Sequence, residues 1–256
     1  MNGQQDGRYP SLTPLAEAHR AADMLAAGTF GETNDDGHWN GCSIGCFARE
    51  IGHNEGDIHA AVADHFGTPR WWMHFQDAMF EGLPEPDRYD WHVLASRLID
   101  AAHAQGNFDW DRLGYLVRMV AVEEARSHAA SDQTDVLEAI DGVLTLLCRA
   151  ERGGVVGRDD WLEAERRAER AATAASANAA SAASADAAWA ASANAASAEG
   201  AAWAASAASA NAAWAAWTEG VARAARAARA ASWRRMRDGV VAAFAQCGAP
   251  LGGEAS

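Results

Sequence analysis

The sequence predicts an all-α protein, with an N-terminal multi-helix domain followed by a long Ala-rich helix or helical hairpin. Three observations carry that prediction. Apolar residues recur three and four apart along most of the first 150 positions, the period of one helix face. Alternating apolar and polar runs, the mark of a half-buried strand, are missing. And 36 of the 62 residues from 171 to 232 are alanine, the residue with the strongest helix propensity.

The elements read in order. Thr13 caps a first helix, Pro14 suits its first position and Gly28 can end it, with Leu15, Ala18, Ala22 and Leu25 on one face. A polar loop, Gly31 to Gly37, leads into Trp39-Asn40-Gly41-Cys42-Ser43-Ile44-Gly45-Cys46-Phe47. A helix is expected from about Asp57 to Phe66, closed by Gly67. Thr68 and Pro69 launch the next, which carries Trp71, Trp72, Phe75, Met79 and Phe80 and stops at Gly82 and Pro84. Three more follow near 88–104, 109–128 and 132–151, with inward sets Trp91, Leu94, Leu98; Leu113, Leu116, Val120; and Val136, Ile140, Leu144, Leu147. Gly153-Gly154 reads as a hinge, which sets the expected domains at 1–153 and 154–256.

Beyond the hinge the physics changes. An alanine side chain is a single methyl and buries little apolar area, so an Ala helix docks through larger groups. Trp189, Trp203, Trp214 and Trp217 are those groups. At about 100° per residue all four fall on one face roughly 80° wide if the helix is continuous. Such a face packs on the chain's own core, on a second copy or on a partner protein. Glu199-Gly200 and Glu219-Gly220 are the places where a rod would fold into a hairpin. Sustained Leu or Ile heptads are lacking, which weakens a coiled-coil reading. The tract also resembles the Ala-rich helices of small ice-binding proteins, although only Thr173 and Thr218 supply the threonines. Arg223, Arg226, Arg229, Arg234, Arg235 and Arg237 follow with no acid between Val221 and Arg237, a basic arm suited to an acidic partner or to the acidic remainder of the same chain.

Composition excludes some classes. A net charge of −14 opposes general binding to nucleic acid or to anionic membranes. Lysine is absent, so every basic residue is Arg, a bias that a GC-rich genome produces without any phosphate-binding role. No apolar leader opens the chain and no apolar run is long enough to span a bilayer, so the expected compartment is the cytoplasm, with its four cysteines reduced.

Candidate chemistry gathers between His38 and His74. Cys42 and Cys46, four apart, share a face of a helix and together with His38 and His53 make a candidate zinc set. No other cofactor is expected. Alternatively Cys42, at a helix start whose dipole favours the thiolate, is a nucleophile with His53 or His59 as base and Asp57 or Asn54 as orienter. Asp100-x-x-His103 and Glu124-x-x-x-His128 read as ordinary helix-surface pairs.

The segment Trp39 to Cys46 resembles a set of uncharacterised bacterial and phage proteins with Trp-Asn-Gly leading into Gly-Cys-x-x-Gly-Cys, a later Gly-x-Pro helix ending in Phe-Glu-Gly-Leu (here Gly67 to Leu83), and Ala-rich tails with scattered Trp. The resemblance covers residues 37 to 100 and the style of the tail, and implies a phage or mobile-element accessory protein without assigning an activity. The leading expectation is therefore a non-enzymatic helical interaction protein acting on a protein partner or on itself. A Cys- or zinc-dependent hydrolase centred on Cys42 and Cys46 is the alternative, and ice binding by the tract a second one.

Overall fold

A computed structural model describes residues 9–53, 56–129, 133–177, 219–249 and 251, with side chains omitted for 172–177 and 219–225. Trp189, Trp203, Trp214 and Trp217 lie outside the described residues, as does the side chain of Arg223, and so do the Trp-face and ice-binding readings. The described chain is all-α. Its nine helices are α1 (Thr13–Ala21), α2 (Ser43–Glu50), α3 (Ile58–Phe66), α4 (Arg70–Gly82), α5 (Asp87–Ala104), α6 (Trp110–His128), α7 (Thr134–Glu151), α8 (Arg158–Ala177) and α9 (Glu219–Gln246). Two-residue strands β1 (Glu32–Thr33) and β2 (Trp39–Asn40) pair antiparallel in the register Glu32 to Asn40 and Thr33 to Trp39. No described helix is long and apolar enough to cross a membrane.

Packing divides the chain into two compact units, residues 1–110 with 244–256, and residues 111–243. Gly153 and Gly154 are a turn inside the second unit, joining α7 to α8. Those two helices pack closely, with Val136, Ile140, Val143 and Leu147 meeting Ala164, Ala168 and Ala171. Small alanine faces let the helix axes approach.

In the first unit α4 packs against α2, α3 and α5, while α1 lies on α5. Trp72, Trp91, Phe47, Phe66, Phe80 and Phe244 are fully buried there. Trp72 meets Phe244 edge to face at 5.0 Å, and Phe244 stacks on Phe108 at 5.5 Å. The helix punctuation differs locally from expectation. α1 ends at Ala21 and not near Gly28, because Met24 to Ala26 turn away to bond the backbone of Gly41. Its cap is supplied from α5: Asp100 accepts from the Leu12 and Thr13 N–H groups and from the Ser11 and Thr13 hydroxyls. α3 follows the sequence rules, with Asp57 accepting from the Ala60 N–H and Gly67 in the left-handed region at φ 66°. Thr68 does not cap α4; Pro69 takes that position.

In the second unit the basic arm meets its own chain at Arg235. Glu124 is only 8% exposed and accepts from both Nε and Nη2 of Arg235 and pairs with His128 at 3.0 Å. Burial pushes its carboxyl up, but the bonds from Arg235 and Ser232 and the Arg235 and His128 charges outweigh it, leaving the group below the usual carboxylate range. Glu124 and His128 are thus a packed hydrogen-bonded pair, with Glu124 nearly buried, and not the surface pair their spacing suggested. Arg226 is exposed and Arg229 half-buried.

Candidate functional site

The Trp-Asn-Gly-Cys segment is a tight junction between a loop and a helix. Cys42 is the N-cap of α2, its Sγ accepting from the Gly45 N–H at 3.4 Å. The Cys42 N–H donates to the Thr29 carbonyl, the Gly41 N–H to Met24 and the Ala26 N–H to Gly41, so residues 24–30 lie across the start of α2. The Cys46 thiol reaches the carbonyls of Met24 and Gly41, both at 3.7 Å. A side chain at Gly45 would collide with the Phe30 carbonyl, and one at Gly41 with the Trp39 ring at 2.6 Å. The repeated Gly-Cys pattern therefore has a packing cause: glycine admits the crossing backbone and small buried thiols fill the space beneath it.

This placement changes the reading of both cysteines. Cys42 does begin a helix, as expected, but it is 1% exposed. Burial and then the Asp77 charge push its thiol far above the ordinary range, overriding the helix dipole and the N–H bond. Burial likewise pushes the Cys46 thiol up to about 12. Neither is an activated nucleophile in this state. Native protein at pH 7.5 is expected to label rapidly with a maleimide at the half-exposed Cys148 and Cys247 only, and at all four thiols after denaturation. Rapid native labelling of Cys42 would contradict its placement.

Nor does the expected zinc set assemble. Among the described residues Cys42, Cys46, His38 and His53 do not converge as three or more ligand atoms. His38 is exposed and its Nε2 bonds the Asp23 carbonyl at 3.1 Å. The Nε2 of His53 is buried without a hydrogen-bond partner.

A different cluster forms where α3 meets α4. The ligand atoms of Asp57, His59 and His74 lie within 4.8 Å of one another. The His59 and His74 rings stack with centroids 4.0 Å apart and planes at 17°. His59 Nε2 bonds Asp77 Oδ2 at 3.2 Å, with both side chains nearly buried (12% and 13% exposed). Asp57 also pairs with Arg70, and the Ala60 N–H bond, with the Arg70 and histidine charges, outweighs burial and leaves its carboxyl below the usual value. Asp77 continues to a second group, Cys42 and Glu81, whose ligand atoms are again within 4.8 Å. Glu81 holds the Gly28 N–H with both oxygens, and burial pushes its carboxyl up. His59, proposed from sequence as a base for Cys42, is thus bonded to Asp77; Asp57 caps α3 and sits with the two histidines. Asp77 and Glu81 went unassigned from sequence. Their signal was available: Arg70, His74, Asp77 and Glu81 fall within about 60° of arc on α4, a polar stripe on a helix that is apolar elsewhere except at Gln76.

Beside it runs a buried hydrogen-bonded string. Gln76 Nε2 donates to Ser43 Oγ at 2.9 Å, Ser43 Oγ meets His92 Nδ1 at 2.8 Å, and His92 Nε2 meets His19 Nδ1 at 3.1 Å. His19 Nε2 then faces the Glu50 carboxylate at 3.4 Å. His19 Nε2 makes no hydrogen bond there, but a proton on it would face the acceptor Glu50, and in that tautomer His92 donates from Nε2 and the Ser43 hydroxyl donates to His92 Nδ1. Gln76, His92 and Ser43 are 0% exposed, which makes the string part of the core and no substrate site.

Comparison with protein-family models, curated proteins and solved structures gave no match.

Proposed function

We propose that the protein is a non-enzymatic helical interaction protein, in which the Ala-rich segment between α8 and α9 makes the contacts. The observation that supports this reading is that both flanking helices are tied into the second unit. Ala164, Ala168 and Ala171 of α8 join the α7 core, and Trp233, Met236 and Val240 of α9 are buried. The helices on either side of the segment thus both have buried residues, which supports a contact role for the chain between them. Its four tryptophans supply large apolar area at low side-chain entropy cost, which suits a contact surface. The resemblance of residues 37–100 to phage and bacterial proteins makes an accessory role in a phage or mobile element the biological setting. The buried state of Cys42 and Cys46 weighs against a thiol hydrolase.

Replacing residues 178–218 by a Gly/Ser linker of about 20 residues tests this reading. The expected result is a thermal melt within about 3 °C of the parent, with loss of self-association by sedimentation and of any partner co-purified with the full chain. Unchanged assembly and unchanged partners would defeat the proposal.

A further inference from the structure

We infer that the α3–α4 junction is a binding site for one divalent transition-metal ion of the zinc class, ligated by His59, His74 and Asp57 and oriented by Asp77. Two imidazoles and a carboxylate make a donor set that suits such an ion, and their ligand atoms already lie within 4.8 Å of one another.

Three features of the geometry point to a missing cation. The first is Asp77. Its Oδ2 bonds His59 Nε2 at 3.2 Å, but its Oδ1 is buried with no hydrogen-bond partner. A buried carboxylate oxygen left unpaired is costly, and a bound ion or a bound water satisfies it. The second is the balance of charge. Asp57, Asp77 and Glu81 gather around the His59 and His74 rings, and burial first, then the Asp77 charge, pushes both Cys42 and Glu81 toward their protonated forms. Arg70 pairs with Asp57, at the outer end of this group. The third is ring orientation. The Asp77 bond takes the His59 Nε2 proton and leaves Nδ1 as a lone pair, the carboxylate–histidine arrangement that holds a metal-ligating imidazole in place. His74 stacks on that ring, which limits its tilt.

The neighbouring group of Cys42, Asp77 and Glu81 does not serve as the site itself. Its thiol is buried and held in the protonated form, whereas a zinc-class ion takes a cysteine only as the thiolate. The ion therefore has nitrogen and oxygen ligands without sulfur, and its binding weakens as the histidines protonate in acid.

The test uses tag-free full-length protein, stripped with a chelator and titrated at pH 7.5 with Co²⁺ by absorbance and with Zn²⁺ by calorimetry. The expected result is one equivalent of either ion, with visible cobalt d–d bands and no sulfur-to-cobalt charge-transfer band. His59→Ala and His74→Ala are expected to weaken binding at least 100-fold, and Asp77→Asn by about 10- to 100-fold. Cys42→Ser leaves affinity and spectrum unchanged. Helix content by circular dichroism checks each variant, and where an alanine variant is unfolded His59→Asn or His74→Asn replaces it. No stoichiometric binding to the parent protein overturns the inference. So does a sulfur charge-transfer band, or full binding in a folded His59 or His74 variant.

Discussion

Alanine at position 45 is expected to destabilise the protein by about 3 kcal/mol, at the upper end of what overpacking costs. The added β-carbon meets the Phe30 carbonyl, a backbone atom held by the run of bonds that lays residues 24–30 over α2. A flexible side chain would move aside; a backbone carbonyl in this position moves only if the loop lifts from the helix. Lifting it also exposes Cys42 and Cys46, both essentially buried. In urea the midpoint should fall with the slope unchanged, and Cys42 should become labelled in the folded baseline. Gly142→Ala is the matched control. It lies within α7 and nothing surrounds its missing β-carbon within 4 Å, so alanine there should stabilise by roughly 0.5–1 kcal/mol through helix propensity. Equal effects at the two positions would mean that loop and helix do not meet as described.

Glycine 45 also marks what sequence could and could not supply. The helices were legible because their evidence is local: α3 has its Asp57 cap and Gly67 stop within eleven residues, and α5, α6 and α7 have apolar periods and boundaries close to those expected. The end of α1 was not, because it is set by pairing of residues 24–26 with Gly41, a contact between segments distant in sequence. The same distinction governs the site. Cysteines four apart suggested a shared ligand face, and they do share a helix start, but burial and not spacing decides their chemistry. His59 and Asp77 come from different helices, and only the packing of α3 on α4 brings them together. The polar stripe on α4 was the local trace of that meeting. His19 and His92, 73 residues apart, left no such trace: each sits singly on an apolar helix face.

That histidine pair makes stability depend on pH with a definite sign. Burial lowers His92 well below the ordinary value of 6.5, with the nearby His19 acting in the same direction. Burial also lowers His19, against the nearby Glu50 carboxylate, and Arg49 lowers it further. In the unfolded chain both titrate near 6.5. Between that value and their folded values the unfolded state binds more protons, so stability increases with pH. The contribution is complete above about pH 6.5 and is lost as pH falls below it, before carboxylates titrate. For His92 alone, going from pH 7.5 to 5.0 should cost up to about 2 kcal/mol, the free energy of protonating the unfolded imidazole over 1.5 pH units. Urea unfolding at the two pH values measures this directly. His92→Gln should be less stable than the parent at pH 7.5, because it disrupts the bonds to Ser43 and His19, yet lose up to about 2 kcal/mol less on acidification. The two measurements separate a structural histidine from a titrating one. A variant whose pH dependence matches the parent would mean that folding does not shift His92, and the lowering assigned to its burial would be wrong.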